Sequence, residues 1–141
     1  MRITDRFRSE HAVFVQQLGV LDAMLRGGAS LDEVIAGIRI LAAPLHRHAQ
    51  NEESTLFPAL DPDADAPIRI LTQEHSQIER WLQRMTSAPV TRADLTDIFR
   101  SFDALLQGHI VREDEVLFPM AERALGESEL VALDIETRVT A

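Results

Sequence analysis

The sequence predicts an all-α fold: an antiparallel up-down-up-down four-helix bundle built from two helical-hairpin repeats. Three observations lead there. Apolar residues recur at three- and four-residue steps through four long segments. The breaks between those segments are short and carry helix start and stop signals, and connections of about two to eight residues favour antiparallel neighbours. A pattern of His, Glu, Leu, Phe and Pro in the first half returns at a fixed offset in the second.

Thr4 or Asp5 caps a first helix that runs to about Arg26, with Phe7, Phe14, Leu18, Leu21 and Leu25 on its apolar face. Gly27-Gly28 ends it, because glycine takes the left-handed conformation after a helix at little cost. Ser30 and Glu33 form a capping-box pattern. The second helix then extends from Leu31 to about Leu60, with a kink expected at Pro44. Asp61 to Pro67 reads as a loop. Its Asp61-Asp63-Asp65 run lacks the glycine and terminal Glu of a calcium loop, so a solvated turn is expected. A third helix covers Pro67 to Met85, followed by a break at Thr86 to Pro89. Thr91 and Asp94 cap a fourth, which runs to about Leu125 and is closed by Gly126. Glu127 to Glu136 can add a short amphipathic C-terminal helix. The chain reads as a single domain, 1–141, with a core bundle at about 4–125 and a tail at 126–141.

Composition narrows the chemistry. The 141 residues are 45% apolar, enough for a sizeable core. There is no Cys, so disulfides, thiolate metal sites and thiol nucleophiles are excluded. All 14 basic residues are Arg, which removes every lysine-based mechanism, and Tyr is absent. Acid–base and ligand chemistry falls to five His, 23 carboxylates and the hydroxyls. A net charge of −9 repels phosphate backbones, so no nucleic-acid partner is expected. No stretch approaches the roughly 20 apolar residues that span a bilayer. The start, Met1 to Arg6, lacks the apolar run of a signal peptide, so a cytoplasmic protein with no membrane partner is expected.

The repeat carries the chemistry. Glu10-His11 in the first helix matches Glu74-His75 in the third, 64 residues on. His48-x-x-x-Glu52-Glu53, followed by Leu56-Phe57-Pro58, matches His109-x-x-x-Glu113-Asp114, followed by Leu117-Phe118-Pro119, at an offset of 61. Residues four apart share a helix face. Imidazole and carboxylate are the donors that suit Fe, Mn or Zn when no thiolate exists. His11 shares its face with Phe7, Phe14, Val15 and Leu18, and His75 with Ile68, Leu71, Ile78 and Leu82. His109 lines up with Phe102, Leu105, Val116 and Met120, and His48 with Leu41 and Leu45. All four therefore point inward, where an unpaired polar group costs about 1–3 kcal/mol. His46, two residues from His48, faces elsewhere. Depth agrees in the first hairpin: His11 lies about 22 Å from its helix end and His48 about 26 Å from its helix start. His75 lies too near the end of its helix to match His109, unless the third helix runs further. Phe57, Phe118 and Trp81 read as core packing, and Pro58 and Pro119 as helix-bending residues.

In combination these motifs resemble the hemerythrin-like (HHE cation-binding) domains over roughly residues 4–125. The resemblance implies a bundle around a non-haem di-iron centre, two Fe ions, with Mn or Zn as other occupants. It implies the metal ligands His11 and His48 for one ion, His75 and His109 for the other, and Glu52 and Glu113 between them. It implies a protein that binds or reacts with O2 or a related small molecule (NO, peroxide) in sensing, storage, transport or detoxification. The oxygen-carrying members have a further His one turn before the third-helix His. Here Leu71 stands in that place, and Phe7 in the corresponding place of the first helix. An extra carboxylate is expected to fill the gap: Glu79 first, then Glu10, Glu74, Glu53 and Asp114. Such an oxygen-richer set favours higher-valent iron over reversible carriage.

Two readings of other classes stand beside it: an iron-responsive interaction module whose fold depends on metal, and a metal-free bundle that binds a protein partner. A ferritin-like site is excluded, since it uses Glu-x-x-His at three-residue spacing. No nucleophile, phosphate loop or general base marks a dedicated enzyme.

Overall fold

The computed structural model describes residues 1–60, 65–87 and 90–139, and all of their regular structure is helical. Helix α1 spans Ile3–Arg26 and α2 spans Leu31–Asn51. A wide π-helical turn, Glu52–Leu56, joins α2 to the short α3, Phe57–Ala59. Helix α4 spans Asp65–Ser87 and α5 spans Arg92–Arg112. A second wide turn, Glu113–Leu117, leads into α6, Phe118–Ala124, and α7 spans Glu127–Val139. Around the bundle α1 packs on α2, α2 on α4, α4 on α5, and α5 closes on α1. No helix among the described residues is long and apolar enough to cross a membrane.

The helix ends differ from expectation in instructive ways. Helix α1 is capped by the backbone of Arg2 rather than by Thr4 or Asp5. The Asp5 carboxylate takes Arg2 Nε at 2.9 Å instead, inside the first turn, where a negative charge meets the positive end of the helix dipole. Thr4 is fully buried in the helix. Gly27 is extended, with φ −96°, not left-handed. Carbonyls at the end of α1 and in the turn after it go to Arg92: its guanidinium donates to Met24 O, Leu25 O and Ala29 O at 3.1, 3.0 and 2.7 Å. That clamp ties the first hairpin turn to the start of α5 and satisfies carbonyls a helix end leaves free. Ser30 and Glu33 bond as a capping pair, Glu33 N to Ser30 Oγ at 3.1 Å, and Thr91 accepts from Asp94 N at the same distance. Helix α4 runs two residues beyond the expected Met85, which takes up part of the depth mismatch between His75 and His109. The Asp61-Asp63 part of the acidic run, and Ala88-Pro89 of the following break, lie outside the described residues. So does the side chain of Asp65, which opens α4.

The core has two compartments. One gathers Phe14, Leu18, Leu41, Leu82, Phe99, Phe102 and their neighbours; the other gathers Ile3, Phe7, Leu56, Leu71, Leu117, Phe118 and Leu130. Both wide turns fall where the Leu-Phe-Pro motifs begin. Each closes with a bond five residues long, Phe57 N to Glu52 O and Phe118 N to Glu113 O. The proline next in the chain cannot donate, and its ring needs space where the preceding turn's carbonyl would sit. One extra residue in the turn supplies that space. It also rotates the rest of the motif about the helix axis, so Val116, expected inside, is half exposed, while Leu117 and Phe118 are buried.

Helix α7 is longer than expected and docks on α1. Leu130 is buried in the second compartment. The buried Asp134 carboxylate is gripped by Arg6 of α1 and by Arg138 at 2.9 Å. Gly126 does not close the preceding helix but opens this one, its carbonyl accepting from Glu129 N and Leu130 N. Burial pushes the Asp134 carboxyl up, but Arg6 and Arg138 outweigh it and hold it below its ordinary value. The contribution is therefore present above about pH 4 and lost as pH falls further. Leu130→Ala is expected to cost about 2–5 kcal/mol in urea melts. Asp134→Asn is expected to cost about 1–3 kcal/mol and to raise hydrogen exchange across residues 127–139.

Candidate metal centre

Between the two apolar compartments lies a single polar layer. His11, His48, Glu52, His109 and Glu113 are buried, and the side chain of His75 is 8% exposed. The helices aim all four Nε2 atoms inward. His11 Nε2 lies 3.0 Å from His48 Nε2 and 3.1 Å from a Glu113 oxygen. His48 Nε2 is 2.9 Å from Glu52 Oε1, and His75 Nε2 is 3.3 Å from that same oxygen. His109 Nε2 is 3.3 Å from Glu113 Oε1. The His11–His48 and His75–His109 rings sit at 4.8 and 4.7 Å, each tilted by 53°. The sequence repeat is thus a geometric repeat. Each glutamate reaches one imidazole from each hairpin.

Behind the layer, every imidazole is held by a carboxylate on Nδ1. Glu10 holds His48 at 2.7 Å and Glu74 holds His109 at 3.1 Å. Asp114 holds His11 at 2.8 Å and Glu53 holds His75 at 3.0 Å. The sequence offers these four as candidates for an extra inward ligand. Their chemistry is different: a bond on Nδ1 fixes ring orientation and leaves Nε2 free to donate electrons to a cation. Glu79, the first candidate, is also displaced. Its carboxylate is 45% exposed and lies 3.8 Å from the exposed His46. Glu113, not Asp114, reaches the centre. The aromatic residues of the two Leu-Phe-Pro motifs do more than fill space. Phe118 stacks on His11 at 5.5 Å and Phe57 on His75 at 6.0 Å, while Phe7 and Phe14 meet His48 edge-on.

The layer fits a cation. Both oxygens of Glu52 and of Glu113, with Nε2 of His75 and of His109, are buried without a hydrogen-bond partner of acceptable geometry. They crowd one another but do not line up donor to acceptor. Two groups of donor atoms each fall within 4.8 Å: Glu52, His75, His109 and Glu113, and His11, His48 and Glu113. Leaving that many polar atoms unsatisfied in a dry core is costly, and a shared positive ion removes the cost. A family model described as the hemerythrin HHE cation-binding domain matches residues 2–121. The chain belongs to that family. Comparison with curated proteins and with solved structures gives no match. The hemerythrin HHE match ends at Met120-Ala121, so α7 lies outside it, although α7 packs on α1 beside the layer.

Without metal, protons take the cation's place. Burial pushes the His109 imidazole down, but Glu113 and Glu74 outweigh it and bring it up to about 9. His48 is held well above its ordinary value by Glu52 and Glu10 against the same burial, and His11 is raised by Asp114 and Glu113. Burial pushes the Glu113 carboxyl up, yet His109 and His11 hold it well below 4.5. The raised histidines stabilise the metal-free fold below about pH 6.5, and that contribution is lost as pH rises through about 9. The Glu113 contribution is present above about pH 4.5 and is lost as pH falls. Chelator-treated protein is therefore expected to melt highest between about pH 5 and 7 and to lose stability toward pH 9.5, as thermal melts across that range would record. Metal binding must expel these protons. Calorimetric heats at pH 7 are expected to scale with the buffer's ionisation enthalpy, in the sense of proton release.

Proposed function

We propose that this HHE domain holds two iron ions in its polar layer and binds or reduces O2 or a related small oxidant (NO, peroxide) there. The observation that carries the reading is the paired donor set. His11 with His48, and His75 with His109, form two half-sites, and Glu52 and Glu113 each lie between them. An N/O set without thiolate suits iron, with Mn or Zn as the nearest competitors. Ferrous iron held there would supply reducing electrons to a small oxidant.

The chain's own residues supply the rest. The four Nδ1-bound carboxylates fix the imidazole planes before metal arrives, so little reorganisation is needed on binding. Phe7, Phe57 and Phe118 wall the layer on one side, which keeps bulk water from that face of the donors, and Phe14 lines the other side. Among the described residues no free nucleophile faces the layer, so hydrolytic and group-transfer roles have no support. With four interior histidines, two carboxylates and no extra inward acid, the set is poorer in nitrogen than that of the oxygen-carrying members, and we take this to favour ferric iron after contact with oxidant, and hence sensing or detoxification over reversible carriage.

Anaerobic loading with ferrous iron is expected to give about two iron per chain, and opening to air to produce a near-ultraviolet band that persists on deoxygenation. His48→Ala or His109→Ala is expected to lower the iron content to one per chain or less. With free iron at about 100 times its dissociation constant, each occupied site adds about 2.7 kcal/mol of stability. Preferential retention of zinc or manganese over iron in competition would overturn the iron assignment. No metal-dependent shift in melting would overturn the metal centre altogether.

A further inference from the structure

The repeat breaks its symmetry at the seam between α2 and α4. A cavity of about 30 Å3 touches all four interior histidines. One water needs about 10–15 Å3 of such space, so the cavity suits a diatomic molecule. Its remaining inner wall is apolar, with Phe14, Ile78, Leu82 and Leu106 among the residues that line it. Its outer rim is His46 on α2 and Glu79 on α4, whose side chains are 57% and 45% exposed and 3.8 Å apart. The lining therefore runs unbroken from the buried imidazoles to the surface, between α2 and α4.

The other half of the molecule is an internal control. The 61-residue offset carries His46 and Ala49 on α2 to Gln107 and Ile110 on α5. The 64-residue offset carries Glu79 on α4 back to Val15 on α1. At Ala49 the seam is lined by one methyl group; Ile110, which is 5% exposed, puts a full branched side chain into the α5 wall of the same cavity, on its far side. A groove does run along the α1–α5 seam past Val15, Leu18 and Gln107, but it touches none of the histidines. One seam is open to the layer and its counterpart is shut.

We infer that the α2–α4 seam at Ala49 is the port by which a small ligand reaches the polar layer, with Ala49 setting its width and His46 and Glu79 forming its rim. The role of the port in ligand chemistry rests on the di-iron reading, but its existence does not. Dissolved O2 shortens the relaxation of the protons it visits, and that can be read in metal-free protein. Under O2 pressure, the methyl groups of Ile78 and Leu82 are expected to relax faster than those of Leu56 and Leu117 in the opposite compartment. Ala49→Ile restores the symmetry by copying Ile110, and is expected to cut the Ile78 and Leu82 effect several-fold. His46→Trp covers the rim from outside, leaves the packed interior alone, and is expected to do the same if Ala49→Ile fails to fold. In iron-loaded protein, both variants are expected to slow azide association about tenfold at unchanged iron content. Methyl relaxation that neither variant alters would overturn the port. A chain that retains no iron would overturn the di-iron reading, while the methyl relaxation would still decide the port.

Discussion

Six ionisable side chains share one dry layer, and the rest of the fold is arranged around that fact. Two carboxylates and four imidazoles cannot all be buried in their ordinary states without large desolvation penalties. They are tolerated because each carries an opposite partner and because a cation can occupy their common centre. The two apolar compartments on either side supply the folding energy that the layer itself does not. Positive charge at the layer, as protons or as metal, is thus a requirement of the architecture before it is a feature of the chemistry.

The wide turns show how backbone and site are coupled. Each begins at the glutamate of a His-x-x-x-Glu pair and ends just before a Leu-Phe-Pro proline. The extra residue places the acid after the glutamate (Glu53, Asp114) on an imidazole of the other hairpin and the motif's phenylalanine on that same ring. A strict α-helix would not leave room for the proline ring there. The same local distortion satisfies the proline, orients two histidines and seals one side of the layer.

Much of this is legible in the sequence because repetition removes chance. A single His-x-x-x-Glu says little; two at a constant offset, each with Leu-Phe-Pro behind it, fix which faces turn inward. The features that resist reading have identifiable causes. Periodicity puts Val116 on the wrong face because an α-helical repeat does not count the extra residue of a wide turn. Glu10, Glu74, Glu53 and Asp114 stand out in the sequence but in the wrong role, since spacing alone does not say which ring nitrogen a carboxylate will meet. Their signal is present: an acid directly before each lone histidine and directly after each central glutamate. Glu79 sits one turn after His75, yet its position on the helix rim carries it to solvent. The docking of α7 is faint in the sequence because its strongest tie, Asp134 to Arg6, spans nearly the whole chain.

The crossed grip of Asp114 on His11 joins residues 103 apart in the chain. Glu53 on His75 crosses between the hairpins in the same way. Neither hairpin can orient its own first-helix histidine; each borrows the acid from the other. In time, this means that the centre is among the last things to form. Local helices and each hairpin can assemble early, but closure of Asp114 on His11 over 103 residues waits for the chain to collapse. A cation that needs donors from both hairpins is therefore held only by chains whose two halves have already met.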